Sequence, residues 1–198
     1  MKRNYLFIPF FILSFIFSQS TVLTMQSGEV EAGGTVSIGV ELTNPDEYVS
    51  GFQIQIVDWP NYLTVANSDL DVSVTDRTPD FMVVGNEQPD GSFIIVGFSL
   101  TGSNIDYGTG SIVDINYTST SEYTTEIQLS IVPELSVLSD PSASPVEFSV
   151  EPGIVTVNGE DPPPLFAPEN LMAVGGWEMM NLSWDHPEPW TVTGYSIF

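Results

Sequence analysis

Residues 33–44 read Gly-Gly-Thr-Val-Ser-Ile-Gly-Val-Glu-Leu-Thr-Asn, and Val36, Ile38, Val40 and Leu42 recur there at every second position. Successive side chains of an extended chain point to opposite faces, so this spacing marks a strand with one face on a core. Working outward, the same period returns in Phe52, Ile54 and Ile56, in Val113, Ile115 and Tyr117, and in Ile127, Leu129 and Ile131. It closes with Val146, Phe148 and Val150, then Val155 and Val157. Turn signals separate the rows: Asn44-Pro45-Asp46, Pro89-Asp90-Gly91, Tyr107-Gly108-Thr109-Gly110 and Asp140-Pro141. No stretch carries a helical period. Many short strands with regular turns predict an all-β antiparallel sandwich. Its expected core includes Val36, Ile38, Phe52, Ile54, Ile115, Ile127, Leu129, Phe148 and Val155.

The chain opens with Lys2 and Arg3, an apolar run from Tyr5 to Phe17, and Ser18-Gln19-Ser20. A positive start, a short apolar stretch and small residues before a cut read as a secretory signal over residues 1–20. The run is short for a membrane span and is interrupted by Pro9. Beyond residue 20, Arg77 is the single Lys or Arg against 26 acidic residues, a formal charge of −25. Such a surface repels nucleic acid and anionic lipid, which both require neutralising cations. The chain has no cysteine, so the fold must rest on its core, and thiolate zinc sites and Cys nucleophiles are excluded.

Little here reads as catalysis. The one histidine, His186, follows Trp184-Asp185 in a loop context with no evident nucleophile beside it. Lysine is absent after residue 20, and no phosphate-binding glycine motif occurs. With 26 carboxylates a chance pair is expected, so a glycosidase-like pair carries little information. No cofactor is expected. The calcium candidates are Asp69 and Asp71, on one face if extended, with Asp76 and Asp80 downstream and Asp90 and Asp106 in turns; solvated acidic loops are the default reading of them.

Two stretches break the alternation. Phe81-Met82-Val83-Val84 and Phe93-Ile94-Ile95-Val96-Gly97-Phe98 are apolar on both faces. Either both faces are buried, or the outer one docks a partner. Trp59 and Tyr62, in Asp58-Trp59-Pro60-Asn61-Tyr62-Leu63, either pack on the rim of the sandwich or stack on sugar rings, and Leu63 is expected to plug the core.

The opening at 33–44, the Ser-Gly-Phe-Gln-Ile-Gln-Ile-Val-Asp strand at 50–58 and the closing Pro-Gly-Ile-Val-Thr-Val-Asn-Gly at 152–159 resemble, in that order, the cohesin family. The resemblance covers about two thirds of the chain. Trp59 stands before Pro60 where cohesins usually carry a Tyr-Asp-Pro-like turn. It implies a jelly-roll sandwich over 21–158 that binds dockerin modules on scaffolds for polysaccharide breakdown. It further implies that the dockerin lies across a sheet face including the 81–84 and 93–98 strands, with Phe81, Met82, Phe93 and Ile95 as expected contacts. The exposed pair is expected to be either Phe93 with Ile95 or Ile94 with Val96. The family core does not demand calcium, whereas its dockerin partners do. Direct carbohydrate binding through Trp59 and Tyr62, as in related carbohydrate-binding modules, and a plain spacer or adhesin repeat are the alternatives.

Residues 159–165 read as a Pro-rich polar linker. Ala167-Pro168-Glu169-Asn170-Leu171, Leu182-Ser183-Trp184 and Gly194-Tyr195-Ser196-Ile197 then resemble the opening strands of a fibronectin type III module over 166–198. Such a module needs about 100 residues, so this segment is expected to be its incomplete N-terminal part, with Trp184 a core tryptophan. The whole reads as a secreted or cell-surface bacterial protein that holds partners and does not catalyse.

Overall fold

The computed structural model describes residues 20–66, 70–162, 169–176 and 179–185. In chain order the strands are β1 (Thr21–Met25), β2 (Gly28–Glu31), β3 (Thr35–Asn44), β4 (Gly51–Trp59), β5 (Leu63–Thr64), β6 (Val72–Val74) and β7 (Phe81–Glu87). They continue as β8 (Phe93–Ser99), β9 (Gly108–Ser119), β10 (Thr125–Ile131), β11 (Val137–Ser139), β12 (Pro145–Val146), β13 (Phe148–Glu151) and β14 (Gly153–Asn158). One sheet runs β13-β1-β3-β9-β5, with β6 also on β9. The other runs β7-β8-β4, then β10-β14-β2 along one half of β4 and β11-β12 along the other. The inner rows of both sheets form one continuous apolar core.

The alternating rows behave as read. Ile38, Phe52, Ile54, Ile115, Ile127, Leu129 and Val155 are buried, and Leu63 plugs the core. Val36 and Phe148 are corrections: both are half-buried and pack against the core's margin. Val36 lies near the start of β3 and Phe148 opens the edge strand β13, so neither is covered on every side.

The pairing is not wholly antiparallel. β1 runs parallel to β13, and β2 runs parallel to β14. The chain crosses from one sheet to the other at Gln26-Ser27, and again at Pro152 beside it. Pro152 offers no N–H and so ends the β13 ladder. A Cβ on Gly153 would overlap the carbonyl oxygens of Met25 and Gln26, so glycine alone lets the two crossings touch. The N- and C-terminal segments thereby run side by side in one direction.

A 3-10 turn, Pro133–Leu135, links β10 to β11. Ser136 covers this lapse in the ladder: its Oγ accepts the Gln55 N–H at 3.0 Å and donates to the Val132 carbonyl at 2.8 Å. The loops at the far end gather on Arg77. Its guanidinium donates to the carbonyls of Leu42 (2.5 Å), Gly110 (3.3 Å) and Asp106 (2.6 Å) and to Asn44 Oδ1 (2.7 Å).

The segment after β14 is tied to the sandwich at first. Glu160 bridges to Tyr123, its N–H reaches the Glu122 carbonyl at 3.0 Å, and its carbonyl accepts from Thr124 at 2.9 Å. Beyond it, β15 (Glu169–Gly176) and β16 (Met179–Asp185) form an antiparallel two-stranded sheet. Trp184 lies on β16, while His186 and Tyr195 lie outside the described residues, as do residues 1–19 of the expected signal and Asp69. Among the described residues no helix is long and apolar enough to cross a membrane.

Candidate partner-binding face

The β7–β8 hairpin decides the site, and its turn decides the hairpin. Gln88 N–H reaches the Ser92 carbonyl at 2.7 Å, and Gly91 takes a left-handed φ of 85°. Asp90 Oδ1 accepts from the Ser92 N–H (3.0 Å) and hydroxyl (2.7 Å), and these bonds hold its carboxyl below the usual range. The turn fixes the register: Phe93 faces Glu87, Ile95 faces Gly85, Val96 faces Val84 and Phe98 faces Met82.

Alternation then sorts the side chains. Phe81, Phe93 and Ile95 point into the core and are buried, with Phe81 stacked on Phe52 at 6.2 Å between centroids. This corrects the expected contact set: of Phe81, Met82, Phe93 and Ile95, only Met82 faces outward. The outward residues are Met82, Val84, Ile94, Val96 and Phe98, so the second of the two anticipated pairs, Ile94 with Val96, is the one away from the core. The inner row is shown by its glycines. The Phe52 ring occupies the place of a Cβ on Gly97, and the Phe93 ring that on Gly85. Small residues beneath large rings mark an interior row, a signal present in the sequence but not used.

Across the sheet the registers align Val84, Val96, Gln53 and Val137 in one row, and Met82, Phe98, Gly51 and Ser139 in the next. Four strands at ~4.8 Å spacing make a face about 15 Å wide. Met82 and Val84 are 47% and 45% exposed, and Val96 and Phe98 are 37% and 38% exposed, so no described residue covers them. Leu135 and Val137 extend the apolar surface, and Gln53 crosses it to donate to the Leu135 carbonyl at 3.4 Å. Gln55 donates to Ser92 Oγ at 3.1 Å. Acidic groups sit at the margins: Asp80, which accepts from the Ser103 hydroxyl at 3.1 Å, and Glu134. An apolar patch with a polar rim is the usual form of an interaction surface.

The remaining candidates separate in space. Trp59 and Tyr62 are both exposed, at the opposite end of β4. The turn between them rests on Asp58, whose Oδ2 accepts the N–H groups of Tyr62 (2.9 Å) and Leu63 (3.0 Å). Burial pushes the Asp58 carboxyl up, against the pull of those bonds. Behind it the Tyr117 hydroxyl is buried without a protein partner, and burial raises its pKa well above the ordinary value, with Asp58 and Glu87 adding to the shift. The space they line is about 10 Å³, room for about one water and closed to any substrate. Asp71 and Asp76 lie on or beside β6, Asp106 lends its carbonyl to Arg77, and Asp90 is engaged in its turn. Among the described residues no three of His, Cys, Asp and Glu gather as a metal site.

This sandwich is the fold of cohesin modules. A non-cellulosomal cohesin from the archaeon Archaeoglobus fulgidus superposes with a TM-score of 0.56 at 17% identity, over 70% of this chain and 91% of that one. A type I cohesin–dockerin complex from Clostridium thermocellum, Coh-OlpA-Doc918, gives 0.57 at 14% identity over 70% and 99%. The cohesin module of a Clostridium perfringens family 33 glycoside hydrolase gives 0.55 at 16% identity over 71% and 97%. No protein-family model matches the sequence, and neither does any curated protein.

Proposed function

We propose that the chain is an exported, non-catalytic binding module that docks a dockerin-like protein on the outer face of β7, β8, β4 and β11. The observation that carries this reading is the exposed apolar surface of Met82, Val84, Val96, Phe98 and Val137, with half-buried Ile94 beside them, on a sheet whose solvent face should otherwise be polar. Solved structures of the same fold that hold dockerins support the choice of partner. A spacer or adhesin repeat would need no such surface. The setting that follows is a polysaccharide-degrading or cell-surface assembly, and β15–β16 is the start of a fibronectin type III module in this reading.

Charge narrows the partner further. With Asp80 and Glu134 at the margin and a formal charge of −25 beyond residue 20, a partner with Lys or Arg around an apolar centre is favoured, and its approach is hastened. Titration calorimetry of the chain with calcium-loaded dockerin modules carrying such residues tests this. Micromolar or tighter binding is expected, with affinity falling at least several-fold as salt rises from about 0.05 to 0.5 M. Absence of binding across a panel of such modules would refute the assignment.

A further inference from the structure

A second surface lies on the other half of β4. The hairpin pairs β4 through Gly51–Ile56, whereas β10 pairs it through Ile56–Trp59. There the register sets Trp59 opposite Gln128 and Gln128 opposite Ile154, a row across β4, β10 and β14 on the outside of the sheet. One pleat along, Val57 faces Ser130. Trp59 is 77% exposed, more than any outward residue of the hairpin. Its backbone is fixed, by the β10 ladder on one side and by the Asp58 turn on the other. That turn is clamped again where Thr120 N–H reaches the Tyr62 carbonyl at 2.8 Å. Gln128 donates to Ser130 Oγ at 2.9 Å, which lays its amide along β10 at the register position opposite Trp59.

An aromatic plane left in water on a fixed strand end, opposite the Gln128 amide with the Ser130 hydroxyl one pleat along, suits a ligand with an apolar face and a polar rim. A pyranose ring has that shape: its C–H face carries slight positive charge and meets the negative face of the indole, while its hydroxyls reach the amide in plane. The row spans two inter-strand steps, about 10 Å, the length of a disaccharide. Charge selects among glycans. The one Lys or Arg beyond position 20, Arg77, is engaged on four oxygens at the loop end, and Glu126 flanks the row, so an anionic polysaccharide would find repulsion there and no lysine or arginine.

We propose that Trp59, Gln128 and Ile154 form a stacking platform for uncharged, extended polysaccharide, distinct from the protein-docking face. The module would then hold a protein partner with one half of β4 and its polymer with the other.

Titrating the full chain with β-1,4-linked hexasaccharides of glucose and of xylose, followed by calorimetry and indole fluorescence, tests this. Saturable binding in the sub-millimolar range is expected for at least one. Trp59→Ala should weaken it at least tenfold without lowering the melting temperature, Trp59→Phe should restore most of it, and Gln128→Ala should weaken it several-fold. Val96→Asp should leave it unchanged, which separates this site from the docking face. Polygalacturonate should not bind. The proposal fails if neither hexasaccharide binds at millimolar concentration, if Trp59→Ala binds as tightly as the parent, or if polygalacturonate binds equally well. It also fails if Trp59→Ala removes dockerin binding and spares sugar binding, which would assign the indole to the protein partner.

Discussion

Ile95→Asp should abolish the cooperative melting of the sandwich, while Val96→Asp, one residue on, should leave it folded. Ile95 is fully buried on the inner row between Gly85 and Ile54. A carboxylate there loses its hydration and forfeits the isoleucine's burial, together costing about 5 kcal/mol or more, comparable to the whole stability of a domain. Val96 is on the outer row, where an Asp stays hydrated and costs about 1 kcal/mol through strand propensity. Thermal unfolding by circular dichroism reads both. A folded Ile95→Asp, or an unfolded Val96→Asp, would reverse the assignment of faces.

Arg77→Leu should lower the melting temperature by about 10 °C, from a loss of about 3 kcal/mol. The side chain closes the gap between the ends of β3 and β9 and the loop at Asp106, and its burial depresses the guanidinium pKa, with Asp106 and Glu41 opposing that shift. Leucine would retain the aliphatic contact with the Gly110 backbone but remove the guanidinium donors from the Leu42 and Gly110 carbonyls and Asn44 Oδ1, and leave the Asp106 carbonyl with only the Asn44 amide at 3.1 Å. Arg77→Lys should recover only part of the loss, because one ammonium cannot span the four oxygens in the same fork. A variant with unchanged melting temperature would mean that the loops hold together without this clasp.

The period of two made the sandwich readable, because most inner rows from Val36 to Val157 alternate with polar or small residues. It failed where alternation gives no contrast. In Phe-Ile-Ile-Val-Gly-Phe both faces are apolar, so the pattern alone could not say whether Phe93 and Ile95 or Ile94 and Val96 face out. The parity is set by the Asp90–Gly91 turn and by the rings of Phe52 and Phe93 over Gly97 and Gly85. Parallel pairing of the two terminal segments was also hidden, since it depends on crossings at Gln26-Ser27 and Pro152 that carry no periodic signature. The position of Trp59 beside Gln128 and Ile154 joins residues up to 95 apart in sequence and could not be read from spacing.

Partner docking depends on the outer face of β7, β8, β4 and β11. Its most direct test is the affinity of the Met82→Asp/Val96→Asp variant for a dockerin module that the parent binds, measured by calorimetry beside its melting curve. The two positions are in different rows, so the new carboxylates do not face each other. Loss of at least about 100-fold in affinity, about 2.7 kcal/mol, with a cooperative melt retained, is the predicted result. Unchanged affinity in the folded variant would place the partner elsewhere and contradict the account.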